Sequence, residues 1–219
     1  LKAGHLARAG HPVTVDNRTA SQSRAWCAEF AGANSPTHAE SPRLAAQQAD
    51  LIFWCVGNDD DLRSVTLGAD GAFAGMQPGA VFVDHTTASA SVARELYTAA
   101  KNLGLRFVDA PVSGGQAGAQ NGQLTVMCGG DQAAFDAAQP VGMAFSKAFT
   151  RVGESGAGQL AKMVNQICIA GLVQGLSAAI AFGQKAGLGI KQGLEGIGRV
   201  RAQRWQMDNS GKTMEADKF

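Results

Sequence analysis

Short apolar runs separated by more polar segments dominate the first two thirds of the chain. Five of them have the length of strands: residues 13–15, 51–56, 81–83, 106–109 and 124–128. Several are continuously apolar rather than alternating, as strands are when both faces of a parallel sheet are covered. The pattern therefore predicts a parallel sheet buried between helices.

Helix signals lie between these runs. Ser41 followed by Pro42 is typical of a helix start, with an N-cap residue and then proline at the first helical position. Further helices are predicted over residues 59–67, 90–102 and 132–138, the last of them capped by Asp131. The alternation of strand and helix predicts a doubly wound α/β fold, in which ligands bind at the carboxyl ends of the strands.

The pattern changes near residue 153, where the strand signals stop. Residues 158–186 contain no proline and predict one helix, about 43 Å long and apolar on most sides. Such a helix must be buried, between domains or between subunits. Gly187 and Gly189 mark its end, and another helix is predicted from residue 190 to about residue 207. We therefore expect an α/β domain over residues 1–153 and a helical domain over residues 154–219.

Composition narrows the classes of partner and environment. The 219 residues carry a formal net charge of +1, which gives no support for nucleic acid or an anionic membrane as the main partner. The four cysteines form no CxxC pair, which favours a reducing compartment over a disulfide framework. The longest apolar stretch, residues 167–182, is shorter than the ~20 residues that span a bilayer. We expect a cytoplasmic protein without a metal site.

The segment VTVDNRT, residues 13–19, is typical of the second strand of a dinucleotide-binding fold. An acidic residue at the end of that strand binds the adenosine ribose of NAD, whereas arginine accommodates the 2′-phosphate of NADP. Asn17 and Arg18 fall at this place, which favours NADP. Asp16 lies one residue earlier, so a register shift by one residue would favour NAD. A plain surface turn is the third interpretation.

The Gly-rich GxGxxG turn that holds the pyrophosphate of a dinucleotide does not occur in the sequence. Residues 1–11, LKAGHLARAGH, look like the helix that follows such a turn. We therefore expect a dinucleotide-binding sheet that lacks its first strand and leaves unpaired edges beside the gap. The loops at residues 55–58 and 86–87 follow two strands where a cofactor would lie, although each such loop alone is more often structural.

The motif DAPVSGG, residues 109–115, places a Gly-rich turn directly after a strand. Ser113, Gly114 and Gly115 offer a hydroxyl group and successive backbone amides. Such amides form a nest that suits an anion, for example a carboxylate. The sequence therefore favours an anion site here over a generic turn.

The motif GAGQLAKMVNQ, residues 156–166, opens the long predicted helix. Lys162, Asn165 and Gln166 are spaced i, i+3 and i+4, which places three polar side chains on one face. A buried lysine is costly unless it is compensated, which points to a functional role. A lysine that simply extends to solvent explains the spacing equally well.

These two motifs, about forty residues apart, follow VxVxNRT and VDHTTAS in the same order and spacing as in the β-hydroxyacid dehydrogenase family, which the chain resembles. That family includes 3-hydroxyisobutyrate dehydrogenase, tartronate semialdehyde reductase and, more distantly, 6-phosphogluconate dehydrogenase. The resemblance covers essentially the whole chain and implies a usual enzyme truncated at both ends. It implies a Rossmann-like nucleotide-binding domain over residues 1–153 and part of a helical substrate and dimerisation domain over residues 154–219. A homodimer or homotetramer is the implied assembly.

The resemblance also implies roles for individual residues. Lys162 would be the catalytic general acid/base, and Asn165 would hold Lys162 or the substrate. The residues that would contact the substrate and its carboxylate are Gln166, Ser113, Gly114 and Gly115. The residues that would contact the cofactor beyond Asn17 and Arg18 are Val56 and Gly57 on the adenosine-ribose side and Thr87 on the nicotinamide side.

The implied activity is that of an NAD(P)-dependent oxidoreductase, with NADP favoured and NAD as the alternative. It would interconvert a small 3-hydroxy acid and its semialdehyde. Two other interpretations stay open: a catalytically inactive truncated scaffold or binding protein of the same fold, and another Rossmann-like enzyme such as a methyltransferase. The motif around Lys162 argues against the last of these.

Overall fold

The structure is a computed structural model, and it describes residues 1–32, 34–197 and 214. The chain divides into two compact units, Leu1–Lys162 and Met163–Phe219. The part of the predicted 190–207 helix that follows residue 197 lies outside the described residues.

Strands and helices alternate through the first unit. Its strands are β1 (Thr14–Val15), β2 (Thr37–His38), β3 (Leu51–Trp54), β4 (Val81–Asp84), β5 (Arg106–Asp109), β6 (Val112–Ser113), β7 (Leu124–Gly130) and β8 (Ser146–Gly153). Its helices are α1 (Lys2–Arg8), α2 (Ala20–Glu29), α3 (Pro42–Ala46), α4 (Asp59–Leu67), α5 (Ala90–Asn102), α6 (Gly115–Gln120) and α7 (Gln132–Gly142). Helix α8 (Ala157–Lys185) begins in the first unit, and α9 (Ile190–Ile197) lies in the second.

The strands form two sheets. β1 and β2 make a parallel pair, and the other six strands form a sheet of order β3-β4-β5-β7-β6, with β8 paired to β7. β3, β4 and β5 are parallel and in register, so their carboxyl ends lie at one edge. The predicted Rossmann-like α/β fold is confirmed. β3 is an edge strand of the larger sheet, and β1 pairs with β2. Among the described residues, no strand belongs to both sheets.

The sheet is mixed rather than parallel throughout, which corrects the prediction. β7 runs antiparallel to both β5 and β6, while β8 returns parallel to β7. The chain between β5 and β7 contains only the short β6 and α6, and a parallel return normally needs a longer helical crossover. The reversal brings the turn between β6 and α6 next to the end of β5.

Alternate side chains of the central strands build a core on each face of the sheet. On one face Phe82 of β4 stacks on Phe107 of β5 with ring centroids 5.9 Å apart, beneath helix α5. On the other face Val83 and Val108 pack with Phe145. Each of these side chains is almost fully buried. Two apolar faces covered by helices hold the edge of parallel strand ends in a fixed position.

Helix α8 begins and ends within one residue of its predicted bounds. The predicted burial is not found in the single chain, because Val164, Ile167 and Phe182 are 63%, 72% and 75% exposed. An apolar pattern shows that a surface avoids water but not what covers it, so burial between subunits remains a prediction. By length and composition alone, α8 could also span a membrane, a weak criterion that apolar helices of soluble proteins meet too.

Candidate active site

Lys162 lies in the second turn of α8, at the end of the first unit. Its ammonium group donates a hydrogen bond to the backbone oxygen of Val112, with Nζ and O 2.9 Å apart. The side chain is half-buried, and this burial lowers the pKa of Lys162 from its ordinary value of 10.5. Val112 directly precedes Ser113, so the structure brings the amine and the Ser-Gly-Gly turn together.

The Ser-Gly-Gly turn connects β6 to α6. Ser113 is half-buried, whereas Gly114 and Gly115 are exposed. Gly115 has a φ of +61°, and a Cβ placed on it would meet nothing within 4 Å, so open space lies above its backbone. Exposed amides beside a hydroxyl group and a cation suit a carboxylate.

Asp109, the last residue of β5, binds the beginning of α8. Its Oδ1 accepts from the Gly156 N–H at 2.7 Å and its Oδ2 from the Gln159 N–H at 3.0 Å. The side chain is fully buried. Burial raises the pKa of Asp109, and these backbone donors oppose that shift. Our sequence analysis assigned no role to this residue, although an acidic side chain at the end of an apolar strand was a signal for one.

Gln159 binds the loop after β4 with its side chain. Its Oε1 accepts from the Ala88 N–H at 3.0 Å, and its Nε2 donates to the Thr86 backbone oxygen at 2.7 Å. The residue is fully buried. Sequence analysis did not single it out either, because one glutamine in the first turn of a helix is not distinctive before its partners are known.

The two predicted cofactor loops leave neighbouring strands at the same edge. Trp54 at the end of β3 pairs with Asp84 at the end of β4, and the Val56 N–H donates to Thr86 Oγ1 at 3.1 Å. Gly57 and Thr87, one residue further along each loop, are exposed. Exposed backbone beyond adjacent parallel strand ends is where α/β sheets hold a dinucleotide, so these loops fit a nicotinamide cofactor.

Asn17 and Arg18 follow β1, in the smaller sheet. The Thr19 N–H donates to Asn17 Oδ1 at 2.8 Å, which closes a tight turn ahead of α2. The side chain of Arg18 is exposed. Asp16 is half-buried, and burial raises its pKa. An exposed arginine at this strand end is the residue type that accommodates a 2′-phosphate in dinucleotide-binding folds.

Asn165 and Gln166 fall in the second unit. Asn165 is half-buried and Gln166 is exposed. The Asn165 side-chain amide donates to Gln166 Oε1 at 3.1 Å, so the two predicted substrate contacts are paired with each other. Their predicted roles toward Lys162 and the substrate remain predictions.

Asp84 and His85 form a buried polar pair at the end of β4 that sequence analysis missed. The Thr86 N–H donates to Asp84 Oδ1 at 2.9 Å, while Oδ2 is buried and has no partner among the described residues. Burial raises the pKa of Asp84 to about 7. The His85 Nδ1–H donates to the Ala110 backbone oxygen at 2.6 Å, and burial lowers the pKa of His85. The His85 side chain thus links the loop after β4 to the end of β5.

Comparison with known families fits this geometry. Residues 2–153 match the NAD-binding domain of 6-phosphogluconate dehydrogenase, and residues 156–219 match the NAD-binding domain of NADP-dependent 3-hydroxyisobutyrate dehydrogenase. The chain belongs to the β-hydroxyacid dehydrogenase family. The first match contains the strands, the loops and the Ser-Gly-Gly turn described above. The second match contains Lys162.

Relatives in the dehydrogenase family are similar over most of the chain. An uncharacterized oxidoreductase of Shewanella frigidimarina is 54% identical over 212 residues, which are 97% of this chain and 72% of that protein. A 3-hydroxyisobutyrate dehydrogenase-like protein of Arabidopsis thaliana is 42% identical, over 89% of this chain and 57% of its own length. A solved structure of Mycobacterium tuberculosis 3-hydroxyisobutyrate dehydrogenase with L-serine superposes with a TM-score of 0.82 at 28% identity, covering 93% of this chain and 67% of that one.

Proposed function

We propose that this chain carries the catalytic centre of an NAD(P)-dependent oxidoreductase that interconverts a small 3-hydroxy acid and its semialdehyde. The observation that carries the proposal is the 2.9 Å contact between Lys162 Nζ and the Val112 oxygen, beside the exposed Ser-Gly-Gly turn. Because the Lys162 amine contacts the residue directly before the Ser-Gly-Gly turn, one small substrate would reach both a proton-transferring amine and a carboxylate-binding nest. The loops at Gly57 and Thr87 supply the edge along which a nicotinamide cofactor fits.

The reaction balances with Lys162 as the proton carrier. In the oxidation direction the neutral Lys162 amine removes the hydroxyl proton, and the O–H electron pair forms the new carbon–oxygen double bond. The carbon loses its hydrogen with both bonding electrons, and a bound oxidised nicotinamide supplies the acceptor for them. In the reverse direction the Lys162 ammonium returns its proton to the oxygen of the aldehyde. Proton transfer of this kind contributes about 10²- to 10⁴-fold in rate.

The environment of Lys162 favours its action as a general base near neutral pH. A free lysine holds its proton up to a pKa near 10.4, which is too high for a base at neutral pH. Partial burial lowers the pKa of Lys162, because removing water disfavours the charged form. The Val112 carbonyl orients the amine without adding a negative charge that would raise the pKa again.

We propose that the substrates are acids in which one carbon separates the carboxylate from a primary alcohol. 3-Hydroxyisobutyrate and L-serine both have this arrangement, and each is named with a protein that is similar to this chain. They differ only in the methyl or amino group on the intervening carbon. The shared carboxylate would bind at Ser113, Gly114 and Gly115, with the alcohol directed at Lys162.

We also propose NADP as the preferred cofactor. The exposed Arg18 after β1 supports it, together with the fit of Asn17 in the adjacent turn. Val56, Gly57 and Thr87 would contact the adenosine-ribose and nicotinamide ends, and none of these three distinguishes the two cofactors. The preference therefore depends on a single positive charge.

Matched pairs of alcohols test the proposed reaction. The purified chain is incubated with NADP⁺ or NAD⁺ and either 3-hydroxyisobutyrate or L-serine, and reduction of the nicotinamide is followed by its absorbance. Isobutanol and ethanolamine are the controls, since they replace the carboxylate of each acid with a methyl group or a hydrogen. We expect turnover of at least one acid, a preference for NADP⁺, and no turnover of the controls. Absence of turnover with every acid, or equal turnover of acid and control, would contradict the proposal.

A further inference from the structure

The N-terminus of α8 is capped from a distant strand. Gly156 occupies the N-cap position, because its carbonyl accepts from the Leu160 N–H at 3.0 Å, and it has no side chain to act as a cap. In a capping box, two side chains of the helix itself satisfy the N–H groups of the N-cap and third helical residues. Here one carboxylate satisfies both, since Asp109 accepts from Gly156 and from Gln159. Asp109 precedes Gly156 by 47 residues.

The packing at this junction leaves little room for an alternative cap. A Cβ on Gly156 would lie 3.0 Å from Arg94 Nε, so a capping side chain there is crowded. A Cβ on Gly158 would lie 2.6 Å from the Asp109 backbone oxygen, and one on Gly129 would lie 2.6 Å from Asp109 Oδ1. The glycines let the start of α8 press against β5 and β7, which closes the Asp109 carboxylate away from water.

This cap connects two parts of the proposed site. On one side of Asp109 the chain runs through only Ala110 and Pro111 to Val112 and the Ser113 turn. On the other side, Asp109 holds the N–H of Gln159, and Lys162 follows Gln159 by less than one helical turn. The buried carboxylate therefore sets the distance between the amine and the carboxylate-binding turn.

Gln159 connects the same helix to the third part of the site. Its side chain spans from the Thr86 oxygen to the Ala88 N–H, the backbone groups on either side of Thr87. The loop that would face the nicotinamide is thus held by the residue three positions before Lys162. Gln159 and Asp109 are both fully buried, and neither contacts the open space where a substrate would bind.

We propose that Asp109 and Gln159 are positioning residues, which hold Lys162 in register with the Ser-Gly-Gly turn and with Thr87. The inference rests on the proposed function for its catalytic consequence, but the anchoring itself is independent of the substrate. Asp109→Asn and Gln159→Met are the variants that test it. Asparagine keeps one acceptor and turns an amide donor toward the second backbone N–H, whereas methionine keeps the length of glutamine and removes both of its hydrogen bonds.

The first measurement is the pKa of Lys162 itself, which requires no activity. Lysines are ¹³C-methylated and titrated by NMR, and the Lys162 signal is assigned by its loss in Lys162→Arg. If Asp109 acted on Lys162 through its charge, removing that charge would lower the lysine pKa further. If Asp109 acts by holding the helix, Asp109→Asn releases Lys162 toward water and raises its pKa toward the ordinary value. The direction of the change therefore separates the two roles.

The second and third measurements follow the helix and the reaction. Amide hydrogen exchange at Gly156 and Gln159 should accelerate in Asp109→Asn while the core of β4 stays protected. The kcat for the hydroxy acid should fall about 10²-fold, the loss typical of a reacting group displaced by about 1 Å. The affinity for NADPH, measured by fluorescence titration, should change far less. Asp131→Asn is the control, because Asp131 also stands between a strand and a helix, but its side chain caps no N–H of that helix and accepts from the Tyr97 hydroxyl group instead.

The outcomes separate this inference from the proposed function. If the wild type is inactive, but Asp109→Asn raises the Lys162 pKa and speeds amide exchange, the anchoring role of Asp109 is supported and the proposed function is contradicted. An active wild type whose variants keep the Lys162 pKa and kcat would overturn the anchor alone. A lowered pKa in Asp109→Asn would also overturn it. If Asp109→Asn does not fold cooperatively, Gln159→Met is judged by the same three measurements, with an unchanged kcat and Lys162 pKa counting against the proposal.

Discussion

Lys162 Nζ and the backbone oxygen of Val112 are 2.9 Å apart, so a hydrogen bond joins the long helix directly to the strand that leads into the Ser-Gly-Gly turn. The two residues are 50 positions apart in sequence. Their contact places the Lys162 amine, whose pKa is lowered by burial, beside the exposed Ser-Gly-Gly turn; these are the proposed acid/base and the proposed carboxylate site.

Gly115→Ala should weaken binding of the hydroxy acid. Alanine at a φ of +61° is strained by about 1 kcal/mol, and it shifts the amides that face the substrate carboxylate. Gly104→Ala is the matched control, because Gly104 has a φ of +71° in the turn before β5. Both variants should lose similar unfolding free energy in urea titrations, and only Gly115→Ala should raise the KM of the acid. A raised KM in both variants would contradict the prediction, because the loss of substrate binding would then follow from general destabilisation and not from the Ser-Gly-Gly turn.

Gly158→Ala should destabilise the first unit despite the higher helix propensity of alanine. A Cβ there would lie 2.5 Å from the Met127 oxygen and 2.6 Å from the Asp109 oxygen, which are backbone atoms that cannot rotate away. Overpacking of this kind costs about 1–3 kcal/mol. Gly171→Ala, on the same helix with nothing within 4 Å of its Cβ, should gain up to about 1 kcal/mol. Thermal unfolding of the two variants measures the contrast, and a stable Gly158→Ala would count against the close packing.

The order of strands and helices was predictable from the sequence because apolar runs and helix-capping residues are local signals. Helices α4 and α5 were predicted with their observed bounds, since each has an N-cap residue, Asn58 or Ser89, and an amphipathic face. The eight-residue strand β8 was missed. It lies beside β7 alone and buries only Ser146 and Phe149 among its residues, so it has no apolar run to reveal it.

The candidate site was predictable only in part. Lys162 and the residues of DAPVSGG belong to motifs whose residue types are unusual in their places. Asp109 and Gln159 lie within the same motifs, but their partners are 50 and about 70 residues away in sequence. A single sequence shows that a polar side chain occurs in an apolar setting, not which backbone group satisfies it. β7 was predicted as a strand over residues 124–128, but its antiparallel direction was missed for the same reason, since strand direction depends on how the chain returns.

Stability should fall as the pH rises from about 4 to about 7, through Asp84. Its pKa is about 7 in the folded chain and near 3.8 when unfolded, because burial and the neighbouring Asp109 oppose the charge more than Thr86 and Lys2 favour it. Between those values the folded state binds more protons than the unfolded state, so unfolding becomes easier with rising pH. Asp84→Asn removes this proton uptake and should flatten the profile by on the order of a few kcal/mol. Urea titrations at pH 4 and pH 8 would test this, and identical pH profiles for both proteins would contradict it.

Arg18→Ala should change the choice of cofactor rather than the chemistry. Loss of the exposed guanidinium removes its pairing with a 2′-phosphate, so the KM for NADP⁺ should rise by about tenfold, as expected for the loss of one charged hydrogen bond. The KM for NAD⁺ and the kcat with either cofactor should stay the same. Arg8→Ala, another exposed arginine, is the control. If NADP⁺ binds as well to Arg18→Ala as to the wild type, the cofactor proposal loses its support.

The role of Lys162 is tested most directly by the turnover of Lys162→Met, which keeps the apolar stem and removes the amine. Lys185→Met, at the exposed end of the same helix, is the control for loss of a positive charge. We predict that kcat for the hydroxy acid falls by about 10²- to 10⁴-fold in Lys162→Met while NADPH binding and the unfolding transition stay the same. Turnover at the wild-type rate in Lys162→Met would contradict the assignment of Lys162 as the acid/base.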